Sequence, residues 1–271
     1  MKFALIGNPL GHTLSPAIHN RLFELAGISA SYEAISILPE NLAAELPGLF
    51  TSYTGFNVTI PHKSAVIPFL SETTGFASLC GAVNTVDCQT RAGYNTDGAG
   101  MRLALDAAGL SARGKTAVLG AGGTARTAAF LAVQAGGTVT VIARNIRRAQ
   151  AIAEDLEKKL KLRIRIEAAL PDENFDLLIN ATPVGMFPKT NESPLAAGAL
   201  SRVGGVFDAV YNPEETVLLK EARKKNIPAA GGMLMLVGQA AEAQKLWYGA
   251  AFEQNDILET AYLSSEHNNF T

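Results

Sequence analysis

Along the first hundred residues, short apolar runs closed by glycine or proline alternate with segments whose apolar positions recur every three or four residues. Phe3–Ile6 is an apolar run ended by Gly7-Asn8-Pro9, which predicts a buried strand. Ser15-Pro16 predicts a helix start, with Ser15 as N-cap and Pro16 at the first helical position. Ile18, Leu22 and Leu25 form the apolar face of that helix, and Gly27 ends it. Tyr32–Ile37 reads as a second strand, Leu42–Phe50 as a helix interrupted near Pro47, and Gly55–Ile60 as a strand stopped by Pro61. Lys63–Leu70 is expected to be helical. Ala82–Asp87, Thr90-Arg91-Ala92-Gly93 and Tyr94 are expected to form a hairpin.

Beyond Asp97 the alternation becomes more regular. A helix over Gly100–Ala108 ends at Gly109, and the strand Thr116–Leu119 runs straight into Gly120-Ala121-Gly122-Gly123. A helix through Ala135, the strand Thr138–Ala143 and a charged helix through Leu160 complete a βαβ unit of the size of a mononucleotide-binding half. Phe175–Asn180 and Gly205–Val210 read as further buried strands. The tail after Gly232 reads as helical, with Leu234, Val237 and Ala241 on one face.

The chain has 271 residues, 48% of them hydrophobic and 18% charged, which supports one large or two modest globular domains. A net charge of −2 argues against a general nucleic-acid or anionic-membrane surface. No apolar stretch is long enough for a membrane span, and the run after Lys2 is too short for an export signal. Cys80 and Cys88 are the only cysteines, lie in no Cys-x-x-Cys pair and have no His/Cys spacing that suits a metal. The expectation is a cytoplasmic protein with buried thiols and no metal.

Gly120-Ala121-Gly122-Gly123-Thr124-Ala125 carries G-x-G-x-x-A between a strand and a helix, the context in which the pattern marks a dinucleotide site. The first glycine permits a tight turn, the second lets a pyrophosphate approach the backbone, and Ala125 allows close helix–strand packing. The helix start offers free N–H groups to the phosphates. An NAD site usually ends the second strand with an acid that binds the ribose 2′-hydroxyl. Here Ala143 is followed by Arg144, Arg147 and Arg148. A carboxylate would repel a 2′-phosphate, whereas guanidinium groups bind one with paired hydrogen bonds. The cofactor expected is therefore NADP.

The first domain also carries polar groups at the ends of its predicted strands and turns: Thr13 and Ser15, then Asn57, Thr59 and Lys63, then Asn84, then Asp97. Singly each has an ordinary structural reading, as a cap or a surface lysine. Together they offer hydroxyls, an amide, an ammonium and a carboxylate, which suits a polyhydroxylated carboxylic acid. Thr13-Leu14-Ser15-Pro16 with His19-Asn20 resembles the S-x-S-P-x-x-H-N motif of the shikimate dehydrogenase family. Asn57-Val58-Thr59-Ile60-Pro61-His62-Lys63 is similar to its N-V-T-x-P-x-K. Ala82-Val83-Asn84-Thr85 and Asn95-Thr96-Asp97-Gly98 match its A-V-N-T and N-T-D-G. Asn180 to Pro183, Asp208 to Pro213 and Gly232 through Gln239 resemble its later signatures, so the likeness spans the chain in order.

That resemblance implies an α/β fold of two α/β domains: an N-terminal substrate-binding domain, 1–97 plus 232–271, and a Rossmann-like NADP-binding domain, 98–231. It implies Lys63 and Asp97 as the catalytic pair, and Thr13, Ser15, Thr59, Lys63, Asn84, Asp97, Tyr211 and Gln239 as binders of shikimate. Gly120, Ala121, Gly122, Gly123, Thr124 and Ala125 would hold the pyrophosphate, and Arg144 and Arg148 the 2′-phosphate. Thr182, Ala209, Gly232 and Met235 would lie near the nicotinamide. The implied activity is NADPH-dependent reduction of 3-dehydroshikimate in a monomer or homodimer, with no nucleic-acid or membrane partner. Thr13 replaces the family's usual serine, adding a methyl. Ala143 and Asn145 replace its Asn and Thr beside the 2′-phosphate. A quinate/shikimate dehydrogenase using NAD or NADP, and a non-catalytic NADP-sensing regulator, are the alternative readings. Retention of both Lys63 and Asp97 argues against the regulator.

Overall fold

The computed structural model describes residues 1–11, 13–161 and 163–268, apart from the side chains of Ala197 and residues 266–268. Two compact units divide the chain, Met1–Gly100 with Leu236–Ser264 and a second built on Met101–Met235. The elements of the first are β1 (Lys2–Gly7), α1 (Ser15–Leu25), β2 (Ser31–Ser36), α2 (Leu42–Ser52), β3 (Gly55–Val58), β4 (Glu72–Thr73), α3 (Gly75–Cys80), β5 (Thr85–Asp87), β6 (Ala92–Tyr94) and the start of α4 (Asp97–Ala107). The second holds β7 (Lys115–Leu119), α5 (Gly123–Gln134), β8 (Thr138–Ile142), α6 (Ile146–Leu160), β9 (Arg165–Glu167), β10 (Leu177–Asn180), β11 (Val206–Asp208), α7 (Val217–Lys224) and β12 (Ala229–Ala230). The helices α8 (Met233–Tyr248) and α9 (Gln254–Asn268) follow.

In the first unit the six strands run in the order β2-β1-β3-β5-β6-β4. The strands β2, β1 and β3 are parallel, and β5 turns antiparallel to β3 and to β6. Both faces of β1 are covered, which is why its residues form a continuous apolar run and do not alternate. Ala4 and Ile6 pack with Phe56, Val58, Leu42, Leu46 and Leu49 on one face. Phe3 and Leu5 pack with Phe23, Tyr32, Ala243 and Trp247 on the other. The second unit is a wholly parallel sheet of order β12-β11-β10-β7-β8-β9.

Several local expectations are corrected. Ser15 is the first residue of α1, not its cap: Leu14 holds the cap position and no side chain bonds there. The Ser15 hydroxyl instead takes a 3.3 Å bond from Thr13 Oγ1. Ile18, His19, Leu22 and Phe23 form the buried arc of α1, which leaves Leu25 just past its edge and exposed. The helix α2 runs uninterrupted through Pro47. That proline lies on the solvent side, where the carbonyl it leaves unbonded can take water, while Leu42, Leu46 and Leu49 anchor the opposite face. Residues 63–70 do not form an α-helix. They make turns ending in a 3₁₀ segment, Ile67–Phe69, because Pro68 has no N–H to give Ser64. The hairpin of β5 and β6 forms as expected. The helix beyond it starts at Asp97, three residues earlier than the pattern indicated, with the carboxylate at the favourable end of the dipole. The tail helix α8 is buried around most of its circumference, with Met233, Met235, Val237, Ala240, Ala241 and Ala243 all inside and Leu234 only half-buried. Cys80 and Cys88 are buried thiols. Among the described residues no helix is long and apolar enough to cross a membrane.

Candidate active site

In the first unit the strand register brings distant motifs to one edge of the sheet. Ile6 of β1 stands beside Val58 of β3, so the segments following them, with Thr13 and Ser15 on one and Thr59 and Lys63 on the other, leave from the same carboxyl end. Thr85 of β5 pairs antiparallel with Asn57, which puts Asn84 beside the end of β3: Val58 N–H donates to Asn84 O at 2.8 Å. Tyr94 of β6 pairs with Thr85, so Asn95-Thr96-Asp97 emerges at the same edge. Lys63 is tied there by its own carbonyl, which accepts from Val83 N–H at 2.7 Å.

These placements meet in one buried polar cluster. The Lys63 ammonium donates to Asp97 Oδ2, with the two residues 8% and 5% exposed. Lys63 is thus no solvated surface lysine. Asn84 Nδ2 lies 2.9 Å from Asp97 Oδ1, 2.9 Å from Thr96 Oγ1 and 3.2 Å from Gln239 Oε1. Asn84 Oδ1 accepts from Thr96 N–H at 2.7 Å and from the Thr85 hydroxyl at 3.0 Å. Those bonds fix which end of the amide faces the carboxylate. Asn57 Nδ2 in turn donates to Asn84 O and to Thr85 Oγ1, each at 3.0 Å, and Asn57 Oδ1 accepts from the Tyr32 hydroxyl at 2.7 Å. Asp97 therefore accepts one bond on each oxygen and keeps lone pairs on both. Lys63 spends one of its three protons, the others having no partner among the described residues.

Of the eight residues expected at the substrate, Lys63, Asn84, Asp97 and Gln239 share this cluster. Thr59 is half-buried four residues before Lys63. Thr13 and Ser15 bond each other at 3.3 Å. Tyr211 follows β11 in the second unit. Sequence reasoning gave no role to Thr85 or Thr96, although both stand inside the quoted motifs; only the fold turns their hydroxyls onto Asn84.

In the second unit the expected cofactor residues follow the carboxyl ends of β7, β8, β10 and β11, with Gly232 and Met235 after β12, and that end is the edge where open parallel sheets bind ligands. Gly120 has φ +116°, and a Cβ on it would stand 2.9 Å from Ala181 O and 3.1 Å from Thr182 Cγ2, so a side chain is excluded twice over. Gly122 is the N-cap of α5 and supplies no side-chain bond, and the first turn holds no acid, so its N–H groups face an approaching anion unopposed. Ala125 is fully buried against the sheet. Ala143 follows β8, Asn145 caps α6 by accepting from Arg148 N–H at 3.2 Å, and Arg144 and Arg148 are exposed with no ion pair among the described residues. These groups fit the pyrophosphate and 2′-phosphate of NADP. Thr182, half-buried, follows β10; Ala209 follows β11; Gly232 packs so tightly on Ala209 that a Cβ there would meet its carbonyl at 2.4 Å.

The family model for the shikimate dehydrogenase substrate binding domain matches residues 5–86. The shikimate dehydrogenase (NADP(+)) of Caldanaerobacter subterraneus subsp. tengcongensis is 39% identical over 265 residues, 95% of each chain. That of Methanothermobacter thermautotrophicus is 40% identical over 256 residues, 90% of each chain. The crystal structure of shikimate 5-dehydrogenase from Thermus thermophilus, in complex with NADP(H) and shikimate, superposes with a TM-score of 0.86 at 36% identity, covering 97% of this chain and 99% of that one. With such likeness in sequence and fold along nearly its full length, the chain belongs to the shikimate dehydrogenase family.

Proposed function

We propose that the protein catalyses the reversible NADPH-dependent reduction of 3-dehydroshikimate to shikimate, on the route to chorismate and the aromatic amino acids. The observation that carries the reading is the buried Lys63–Asp97 pair, which keeps donors and acceptors unspent at the end of a sheet. When bound, NADPH supplies the hydride for the C3 carbonyl carbon. Lys63 donates a proton to the alkoxide that develops on the C3 oxygen. Asp97 orients the ammonium and accepts from the neighbouring substrate hydroxyl, and Asn84 holds the carboxylate in place. Thr13, Ser15, Thr59, Tyr211 and Gln239 supply further hydrogen bonds to the substrate's hydroxyl and carboxylate groups. Gly120, Ala121, Gly122, Gly123, Thr124 and Ala125 bind the pyrophosphate. Arg144 and Arg148 neutralise the 2′-phosphate. Thr182, Ala209, Gly232 and Met235 border the nicotinamide. The buried thiols suit the cytosol, and the enzyme acts as a monomer or homodimer.

A second reading, a quinate/shikimate dehydrogenase, is favoured by one observation: Thr13 brings a methyl beside Ser15 where the family has serine. Initial rates with shikimate and quinate, each with NADP⁺ and NAD⁺, test both. Shikimate with NADP⁺ is expected to be the fastest pair. Comparable rates with quinate would establish the second reading. Binding of NADP⁺ without turnover of either acid would refute both and leave a sensor.

A further inference from the structure

Asp208 ends β11 fully buried, and no lysine or arginine among the described residues pairs with it. Burial pushes its carboxyl up to about 6, while hydrogen bonds from Thr216, Val210 and Asn180 hold it down. A buried carboxylate without a cation is a poor way to stabilise a fold, because desolvation costs more than neutral hydrogen bonds return. Its value lies in what it orients. Asp208 Oδ2 accepts from the Thr216 hydroxyl at 2.7 Å. Its Oδ1 accepts from Asn180 Nδ2 at 2.8 Å and from Val210 N–H at 3.1 Å.

An ionised carboxylate accepts only, so it draws the amino end of Asn180 toward itself and turns Asn180 Oδ1 the other way. That oxygen accepts from Thr182 N–H at 3.1 Å and from the Thr182 hydroxyl at 2.7 Å. Thr182 Oγ1 then accepts from Val184 N–H at 3.2 Å. Asn180 Nδ2 also donates to Val184 O at 3.3 Å, and of its acceptors Asp208 is the nearer and the charged one, so the carboxylate reinforces the donor–acceptor sense of the chain from Asp208 through Asn180 to Thr182 and Val184. The same carboxylate pins the backbone after Ala209 through Val210. Thr182 also packs where Gly120 of the glycine loop approaches, and Ala209 packs where Gly232 does.

We propose that Asp208 is a positioning residue for the nicotinamide half of the bound dinucleotide, acting through Asn180 on the Thr182 turn and through Val210 on the Ala209 backbone. The inference rests on the proposed function, which puts the nicotinamide beside Thr182 and Ala209. Asp208→Asn tests it, since an amide at 208 replaces the charged acceptor with a neutral group that can also offer hydrogens to Asn180, which weakens the hold on its orientation. Two ligands separate the halves of the site: NADP⁺, and adenosine 2′,5′-bisphosphate, which has the 2′-phosphate but no nicotinamide.

In Asp208→Asn the affinity for adenosine 2′,5′-bisphosphate should stay within about twofold of wild type, while that for NADP⁺ falls by about fivefold or more. Single-turnover hydride transfer should slow by about 10–100-fold with the KM for shikimate little changed. If Asp208→Asn does not fold, Thr216→Val, which frees the other carboxylate oxygen, should give the same split between ligands in smaller measure. Unchanged NADP⁺ affinity and hydride transfer, or equal weakening of both ligands, would overturn the positioning role. A wild-type protein that bound neither ligand would overturn the dinucleotide reading itself.

Discussion

The Lys63–Asp97 pair allows chemistry to be separated from stability in one set of variants. Lys63→Met keeps the apolar stem and removes the ammonium. The Asp97 carboxylate is then left buried with Asn84 Nδ2 on its Oδ1 as its one side-chain partner among the described residues. Truncating one partner of a buried pair costs about 3–5 kcal/mol. The side chains here are 11% and 7% exposed, and the Asn84 bond persists, so the lower end applies, about 3 kcal/mol. For a chain of this size that lowers Tm by roughly 6–12 °C at about 2–4 °C per kcal/mol. Asp97→Asn should cost a similar amount by stranding the ammonium. Lys63→Met/Asp97→Asn strands no charge, so its stability should exceed that of either single variant or match the better one.

Turnover must not follow that recovery. Loss of the proton donor should slow single-turnover hydride transfer by about 10²–10⁴-fold in Lys63→Met, and the double variant should remain as slow. Urea unfolding measures the first quantity, and the change in NADPH absorbance after rapid mixing measures the second. If the double variant regained turnover to within about tenfold of wild type along with its stability, Lys63 would be a structural residue. The proton would then have to come from water or another group.

Three further outcomes are expected. Arg144→Ala should raise the KM for NADP⁺ by about tenfold or more and leave NAD⁺ use nearly unchanged, because Arg144 has no ion pair to lose among the described residues; equal losses with both cofactors would show that it does not read the 2′-phosphate. Thr13→Val keeps the methyl and removes the hydroxyl that bonds Ser15, so shikimate binding should weaken by about 1–3 kcal/mol, and unchanged affinity by titration would make Thr13 a packing residue. His19 is fully buried against Tyr32, with ring centroids 4.0 Å apart and no hydrogen-bond partner on Nε2 among the described residues, and burial, opposed in smaller measure by the neighbouring Asn57, lowers its pKa from 6.5 to about 3. It is neutral in the folded protein but takes a proton below pH 6.5 once unfolded. Its contribution is therefore complete above that pH and is lost progressively as pH falls toward 3, by about 2 kcal/mol at pH 5. Urea unfolding at pH 7 and pH 5 should show a shallower loss in His19→Phe, and an identical slope in both proteins would contradict the assignment.

What the sequence determined by itself was local. The run from Thr116 into Gly120 and Gly122, the buried small residue at Ala125 and the arginines after Ala143 each lie within a few residues of the group they would serve. Periodicity and motif therefore made the candidate dinucleotide site legible. The alternation of strand and helix was legible for the same reason, because burial on both faces imposes continuous apolar runs on parallel strands. Where the periodic signal competed with a breaker, the outcome depended on surroundings that the pattern does not contain. Pro47 is tolerated because it faces water, while Pro68 converts the expected helix after Lys63 into turns.

Tertiary structure alone decided the rest. Only the register of β3, β5 and β6 brings Lys63 to Asp97, 34 positions away, and only the packing of α8 brings Gln239 to Asn84, 155 positions away. Only that closure excludes water from a lysine whose default place is the surface. The Asp208 chain follows the same rule. A carboxylate, an amide and two hydroxyls from β11, β10 and the segments beyond them carry no periodic signal. Their meaning lies in which atom faces which, and that is set when parallel strands align their carboxyl ends.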